Sequence, residues 1–526
     1  MFLVSGVANR LRALQGWKRN GTAFALGVCL TLAFPPFWIL ILAIFAFSGL
    51  LWLLEGATST RSAFKTGWWF GFGHHITGLY WICIALGVDG GAFLWFLPFA
   101  LCVLPAYLSL FIGLATALSH RFRRKPIEQV FVFALFWLVA EYVRAHLFYG
   151  FPWNLTGYIW TMSDQTLQPA SLIGIYGLSL WAVIFGAAFS LLAQPNSRGQ
   201  KQATRGFIYI MLVTFIMVGW GQLRLSNSEH HETPASGVRV RLVQASVAQT
   251  LKWDPEFQML ALQRHINLSK RIPHDGVLPD YIIWPETAMP FRIEEGTQWT
   301  QTLAEIAPKT GALITGAVRT EGNSDDWQVW NSLRAIDASG HVALTYDKTV
   351  LVPFGEFIPL RSVLSFLPVA KITQGAKDFS VGGGAQLLSL PGDAPAMQPL
   401  ICYETIFSGY RPDDDSTATG WLLNITNDAW FGTSTGPYQH LQMSRTRAVE
   451  RGAPMVRVAN TGVSAVFDAY GRTIGKIALN EQGVLDADLP GHLAVPTWYS
   501  RYGEFTLIII CYILFIFAFN RRSKIT

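Results

Sequence analysis

The sequence predicts a polytopic α-helical membrane part joined to a layered α/β domain, and three observations predict it. Charged residues make up only 14% of the 526-residue chain and hydrophobic ones 51%, against roughly 25% charged in a soluble domain. The apolar excess is concentrated in residues 1–225 and 504–520, whereas 238–490 have an ordinary soluble composition. In that central stretch, strand-like runs alternate with helical spacing. The expected organisation is transmembrane helices one to seven in residues 1–225, an α/β domain in 226–495, and a last helix with its tail in 496–526.

A helix needs about 20 apolar residues to cross a bilayer. Eight segments are candidates: 21–34, 37–54, 66–86, 91–118, 128–147, 168–193, 207–222 and 504–520. "AFPPF" at 33–37 separates the first two, because Pro35-Pro36 breaks a continuous helix; one long helix there would give seven crossings. Basic residues decide between eight and seven, since cytoplasmic loops are enriched in Lys and Arg. Arg10, Arg12, Lys18 and Arg19 precede the first segment, and Arg61 and Lys65 follow the second. "HRFRRKP" (120–126), "NSRGQKQATR" (196–205) and "NRRSKIT" follow the fourth, sixth and eighth, while loops 87–90 and 148–167 have no Lys or Arg. An every-other-loop pattern needs an even number of crossings. Eight are therefore predicted, with both termini cytoplasmic and 223–503 on the opposite side. The basic N-terminus with no small-residue cleavage site reads as an uncleaved anchor.

In the α/β domain, strands are predicted at 238–244, 281–285, 312–318, 342–348, 398–404, 421–426, 455–460 and 463–468, and helices at 255–271 and 438–452. Several strands are apolar on both faces, as buried strands are. Three of them end in reactive residues. "IIWPETAMP" places Glu286 past one strand, "TYDKTVLVPFGEFIP" places Lys348 at the end of another with Glu356 eight residues on, and "PLICYETIF" places Cys402 at a third. Each alone has a bland reading: a solvated loop carboxylate, a solvent-facing lysine, a thiol packed as a small hydrophobe. Their occurrence together at strand ends, where α/β sites form, points to a site. The other four of the five cysteines (Cys29, Cys83, Cys102, Cys511) lie in apolar segments, so Cys402 has no partner in its own domain. In an oxidising compartment such a thiol reads as reactive.

Glu in "WPE", Lys in "DK" and Cys in "CYE", with "NITNDAWFG" (424–432) and "RAVERGAPMVRVANTGVSAVFDAYG" (447–471), resemble the nitrilase (carbon–nitrogen hydrolase) superfamily. Together with "LKWDP" (251–255), "VPFGEFIP" (352–359) and "GFPWNLTGY" (150–158), nearly the whole chain resembles the apolipoprotein N-acyltransferase family. The resemblance implies an extracytoplasmic αββα nitrilase-like sandwich on eight transmembrane helices, in the bacterial inner membrane with the catalytic domain periplasmic. It implies a Glu286-Lys348-Cys402 triad in which Glu286 is the general base and Lys348 stabilises the thiolate and the oxyanion. It implies supporting roles for Glu356, Tyr403 and Glu404, and a lid role for Trp253. The implied acyl donor is a membrane phospholipid, giving a thioester on Cys402. The implied acceptor is the α-amine of a diacylglyceryl-modified apolipoprotein cysteine. A monomer without cofactor is expected.

Segment 354–368 reads as a bilayer-facing arm carrying Phe354, Phe357, Ile358 and Leu360; the competing reading is a core helix between Pro359 and Pro368. Nucleic-acid binding is not indicated, since the net charge is only +6 and no basic stripe occurs. No metal site or Gly-rich phosphate loop is evident. His74-His75, in an apolar segment, reads as structural or interfacial, and His230-His231 lies in a polar linker. Arg144 and "GFPW" (150–153) are balanced between lipid contact and helix-end packing. Two other functions remain open at this stage. A membrane-anchored amidase or nitrilase would use water instead of an amine, and a transporter or scaffold would only bind.

Overall fold

Each of the eight apolar segments carries a helix in the computed structural model, which describes residues 2–88, 94–193, 197–228, 233, 236–252, 254–323, 326–364, 377–412 and 419–519. These helices are Gly16–Thr31, Leu40–Glu55, Thr60–Gly78, Leu97–Arg121, Pro126–His146, Ala170–Ala188, Ser197–Ser226 and Phe505–Phe519, with an unforeseen helix at Phe2–Ala13. Among the described residues, four helical stretches are long and apolar enough to cross a membrane: Leu94–Arg121, Pro126–His146, Ala170–Ala193 and Gly199–Ser226. Leu40–Glu55 and Phe505–Phe519 are apolar but have 16 and 15 residues. At 1.5 Å per residue they are about 24 and 22 Å long, short of the roughly 30 Å hydrocarbon core. Gly16–Thr31 and Thr60–Gly78 carry Lys18, Arg19, Arg61, Lys65 and the two histidines within the helix itself. By length and apolarity, four candidate crossings thus stand among the described residues where the sequence predicts eight. "NSRGQKQATR", predicted as a loop, mostly belongs to helix Ser197–Ser226; its Arg, Gln, Lys and Ala are good helix formers, and charge does not end a helix.

The chain divides into two compact units, Met1–Cys83 with Phe96–Asn227 and Trp498–Thr526, and Ile84–Trp95 with Ser228–Thr497. In the first, helices Gly16–Thr31 and Thr60–Gly78 touch backbone to backbone. A Cβ on Gly27 would lie 2.0 Å from Phe70 O, and one on Gly73 2.1 Å from Phe24 O, the small-residue contact typical of membrane helices. Arg144 is buried and donates to the carbonyls of Phe151 and Trp153 at 2.9 and 2.8 Å. It holds the "GFPW" loop, a helix-end packing role. His74 is likewise buried, its Nδ1 3.1 Å from Thr31 Oγ1.

The second unit has two sheets. Strands β1 (Arg239–Gln244), β2 (Tyr281–Ile283), β3 (Ala312–Asn323), β4 (Asp326–Ile336), β5 (Val342–Asp347) and β11 (Gly483–Asp488) form one, in the order β11-β1-β2-β3-β4-β5. Strands β6 (Met397–Ile401), β7 (Trp421–Thr426), β8 (Met455–Ala459), β9 (Ser464–Phe467) and β10 (Thr473–Ile477) form the other, in the order β10-β9-β8-β7-β6. Val240, Leu242, Ile283, Ile314, Leu333 and Tyr346 of the first sheet pack against Met397, Ile401, Trp421, Leu423, Ile425 and Val458 of the second. Burying each such side chain contributes about 1.5–3 kcal/mol. The outer face of the six-stranded sheet is covered by helix Pro255–Ser269, through Leu262 and Ile266 against Ile282 and Leu313. The five-stranded sheet is covered by helix Gly436–Arg451, through Ala448 against Leu422 and Met455. The layering is therefore αββα.

The sequence reading missed β4, β10, β11 and helix Gln298–Ala304. It also extended the strand at 398–404 too far: β6 stops at Ile401, and Cys402–Ile406 form a 3-10 turn. Cys402 has φ +50°, left-handed backbone that cannot continue a strand.

Candidate active site

The predicted residues converge at the strand ends of the second unit. Past β2, Trp284 N donates to Ile314 O at 2.8 Å and Gly316 N to Pro285 O at 3.2 Å, so the chain carrying Glu286 lies against β3. A Cβ on Gly316 would sit 2.3 Å from Thr287 N; only glycine lets the backbones approach this closely. In the β4–β5 register Ser332 faces Asp347, so Asn331 meets Lys348, whose N–H donates to Asn331 O at 2.8 Å. In the parallel β6–β7 pair Ile401 faces Ile425, which brings Cys402 beside Thr426.

Lys348 is 1% exposed and bridges two carboxylates. Its Nζ lies 2.9 Å from Glu356 Oε1 and 3.4 Å from Glu286 Oε1. Asn331 Nδ2 donates to the same two oxygens, at 2.7 Å to Glu286 and 3.0 Å to Glu356. Glu286 Oε2 accepts from Asn427 N at 2.8 Å, tying the end of β7 to the array. Glu356 Oε2 accepts from Val352 N at 2.8 Å. A second buried ammonium, Lys252, donates to Glu286 O at 3.0 Å and Thr287 Oγ1 at 2.5 Å. Lys348 is thus paired with two carboxylates, which is how charges survive burial, while the partners of Lys252 are neutral oxygens.

Burial alone would lower the Lys348 pKa, but Glu356 and Glu286 outweigh it and hold it above the ordinary lysine value. Lys252, farther from negative charge, is pushed down by burial to about 8 despite Glu286 and Cys402. Cys402 is buried, and its pKa is raised by burial and by the Glu286 charge, against the pull of Lys348. The thiol is therefore protonated at rest. An attack by sulfur has to be coupled to removal of its proton.

Glu404 is fully buried and bonds outward from the turn. Its Oε1 accepts from Thr349 N at 2.6 Å, Tyr346 Oη at 3.0 Å and Tyr410 Oη at 3.2 Å, and its Oε2 from Ile401 N at 2.6 Å. It thus clamps the Cys402 turn to the segment after Lys348. Glu404→Ala leaves several buried donors without an acceptor, at about 1–3 kcal/mol each. The thermal midpoint of the purified protein should fall by several degrees at least; an unchanged midpoint would show that the clamp is dispensable. Tyr403 is buried with its ring edge-on to Phe407, centroids 5.2 Å apart. Phe354 is 39% exposed with φ +61°, and Phe357 is half-buried. Ile358 is buried and Leu360 exposed; the helix after them covers only Arg361–Leu364, and residues 365–368 lie outside the described residues, as do Trp253 and His230-His231.

Sequence reasoning missed Asn331, Lys252, Asn427 and the group beneath Cys402 formed by Asp428, His440 and Arg457. Asn331 stands in "DWQVWNSLRAI", a run whose mixed polar and apolar residues hid the strand and, with it, the amide. Lys252 and Asn427 stand inside quoted motifs, but nothing in one sequence separates them from solvated neighbours. No group of three His, Cys, Asp or Glu among the described residues is placed to hold a metal ion.

Comparison with known proteins gives two family matches, the apolipoprotein N-acyltransferase N-terminal domain over residues 26–188 and carbon-nitrogen hydrolase over residues 239–497. The chain is 36% identical to the apolipoprotein N-acyltransferase of Rhodopseudomonas palustris, covering 99% of this chain and 98% of that one. It is 36% identical to the Brucella melitensis biotype 1 protein of the same name, over 93% of both chains. It is 37% identical to that of Bradyrhizobium diazoefficiens, over 96% of both.

Proposed function

The chain belongs to the apolipoprotein N-acyltransferase family, and from that premise we propose a two-step acyl transfer centred on Cys402. The observation that carries the proposal is the buried Glu286–Lys348–Glu356 array at the same strand ends as Cys402, whose thiol pKa is raised by burial and by Glu286 and lowered by Lys348. In the first step Sγ attacks the ester carbonyl of a membrane phospholipid while Glu286 takes the thiol proton. The tetrahedral oxyanion is stabilised by the Lys348 ammonium and the backbone N–H of Tyr403. Glu286 returns the proton to the departing alkoxide, and a lysophospholipid leaves with the acyl group held on Cys402 as a thioester. In the second step the free α-amine of a diacylglyceryl-modified apolipoprotein cysteine attacks that thioester. Glu286 accepts the amine proton and delivers it to the departing sulfur, giving an amide and the starting enzyme.

The proton moves only between sulfur, Glu286 and substrate, so the buried site's total charge changes little. That matters where isolated charge is expensive. Glu356 and Asn331 fix Lys348 and Glu286 relative to each other, and Glu404 fixes the nucleophile's turn. Phe354 and Phe357 bind substrate, with the segment from Phe354 onward as an arm toward the bilayer, and Trp253 has the lid role that the resemblance implies. The alternation of basic segments along the sequence, several of them on helix ends, supports eight crossings in a bacterial inner membrane, both termini cytoplasmic and the catalytic unit periplasmic. The relatives' shared name over nearly the full chain disfavours the amidase reading. Incubation with phospholipid alone, followed by peptide-resolved mass spectrometry, should show one acyl group on the Cys402 peptide, removable by neutral hydroxylamine. Acyl transfer without any such adduct would overturn the two-step mechanism.

A further inference from the structure

We infer that His440 is a positioning residue that aims the backbone N–H of Tyr403 at the developing oxyanion. The inference rests on the role proposed for Cys402. His440 stands on helix Gly436–Arg451, with Nε2 3.2 Å from the carbonyl oxygen of Cys402. A carbonyl only accepts, so Nε2 carries the proton of that bond. Nδ1 is 2.9 Å from Asp428 Oδ1. Asp428 is fixed in turn by Arg457 Nη2 at 2.6 Å and Thr426 Oγ1 at 3.0 Å. Asp428, His440 and Arg457 are all 0% exposed. Arg457 and His440 outweigh burial and hold the Asp428 pKa at about 2, so the carboxylate is ionised.

A buried arginine, carboxylate and imidazole in series are costly to desolvate; Arg457 also donates to Asn424 Oδ1 and, at 3.0 Å, to Ser444 Oγ, while the imidazole end of the series meets the Cys402 carbonyl. The reason lies in the peptide unit that they grip. Peptide 402–403 is planar, so the Cys402 C=O and the Tyr403 N–H point in opposite directions from one rigid plate. Cys402 sits at φ +50°, a conformation that a non-glycine residue keeps only where its surroundings enforce it. A hydrogen bond that pins the carbonyl from behind therefore pins the N–H in front. His440 touches neither the sulfur's proton nor the substrate in this arrangement; it works through the peptide plane.

Asn and Gln at position 440 separate this role from simple packing, because the Gln amide reaches the place of Nε2 and the Asn amide only that of Nδ1. The full-length enzyme in detergent is given one defined diacyl phospholipid, and acyl loading of the Cys402 peptide is timed by mass spectrometry. Iodoacetamide alkylation of the same peptide is timed in parallel, since displacement at a methylene carbon develops no oxyanion. His440→Asn should load about 10–100-fold more slowly, the scale expected for an oxyanion donor that is misdirected but not deleted. Its alkylation rate should stay within about twofold, and His440→Gln should load within about fivefold of the parent. Unchanged loading in His440→Asn overturns the inference. So does alkylation that falls in step with loading, which would place His440's effect on the thiol or the fold. If His440→Asn does not fold, Asp428→Asn must slow loading on the same scale while alkylation is no slower than in the parent, since losing the Asp428 charge only eases ionisation of the thiol. Acyl loading of a Cys402→Ala variant would instead overturn the Cys402 reading itself.

Discussion

Cys402→Ala should abolish both acyl loading from phospholipid and transfer to the apolipoprotein amine, while leaving the protein folded. Alanine is small enough for a position that is already buried among Ile401, Ile425 and Leu423, and the exchange removes one sulfur from the core. Cys402→Ser should fold equally well and still lose at least three orders of magnitude in turnover, about 4 kcal/mol of barrier. The resting thiol is already hard to ionise, since burial and Glu286 raise its pKa. A hydroxyl is harder by several further units, and a carboxylate base has no means of closing that gap. Both steps are read on one preparation, acyl loading with phospholipid alone and amide formation with a diacylglyceryl peptide added. An alanine variant that kept a substantial fraction of either activity would remove Cys402 from the mechanism.

The parts of this arrangement that were legible in the sequence are those with local signatures. Glu286, Lys348 and Cys402 each follow a short apolar run, and a polar residue just past such a run is visible without a structure. The strands from β1 to β9 were legible for the same reason, except β4, whose "DWQVWNSLRAI" mixes polar residues into both faces. Those polar residues are there because Asn331 reaches into the site and Ser332 binds Asp347 at 2.5 Å. A strand half given over to a site loses the alternation that reveals strands. Strands β10 and β11 were hidden for another reason: β10 is mostly exposed and β11 mostly half-buried, so burial imposes little pattern on them. The network of Asp428, His440 and Arg457 was illegible because its members lie 12 and 17 residues apart, and only the fold puts a turn, a helix and a strand behind one carbonyl. The helix count shows the reverse problem. Hydropathy locates helices well, yet it does not say how many residues of each meet lipid when histidines and lysines lie within the helix.

Glu286→Gln should lower turnover by two orders of magnitude or more, at least about 3 kcal/mol, with apparent phospholipid affinity little changed. The substitution is close to isosteric, and the structure says what it preserves. The amide oxygen of the new side chain still accepts from Asn331 Nδ2, which lies 2.7 Å from Oε1 of the native Glu286. The backbone oxygen at position 286 still accepts from Lys252 at 3.0 Å. What disappears is the acceptor of a proton. The bond from Asn427 N to Oε2 is also disturbed, because an amide nitrogen there donates instead of accepting. That disturbance costs positioning, and Asn331→Ala supplies the comparison, since it keeps the carboxylate while removing the Nδ2 donor 2.7 Å from Oε1. Loss of the negative charge pulls the other way: with position 286 neutral, one of the three causes that raise the Cys402 pKa, beside burial and the Asp428 charge, is gone, and the thiolate becomes easier to form at high pH. A base mutant should therefore regain part of its loading rate as pH rises, whereas a variant damaged only in geometry should not. Recovery in Glu286→Gln with none in Lys348→Met would assign the proton to Glu286 and the fixed charge to Lys348. If Glu286→Gln weakened only apparent substrate affinity and left turnover intact, the base would have to be sought elsewhere in the array, with Glu356, 2.9 Å from Lys348, as the next carboxylate to test.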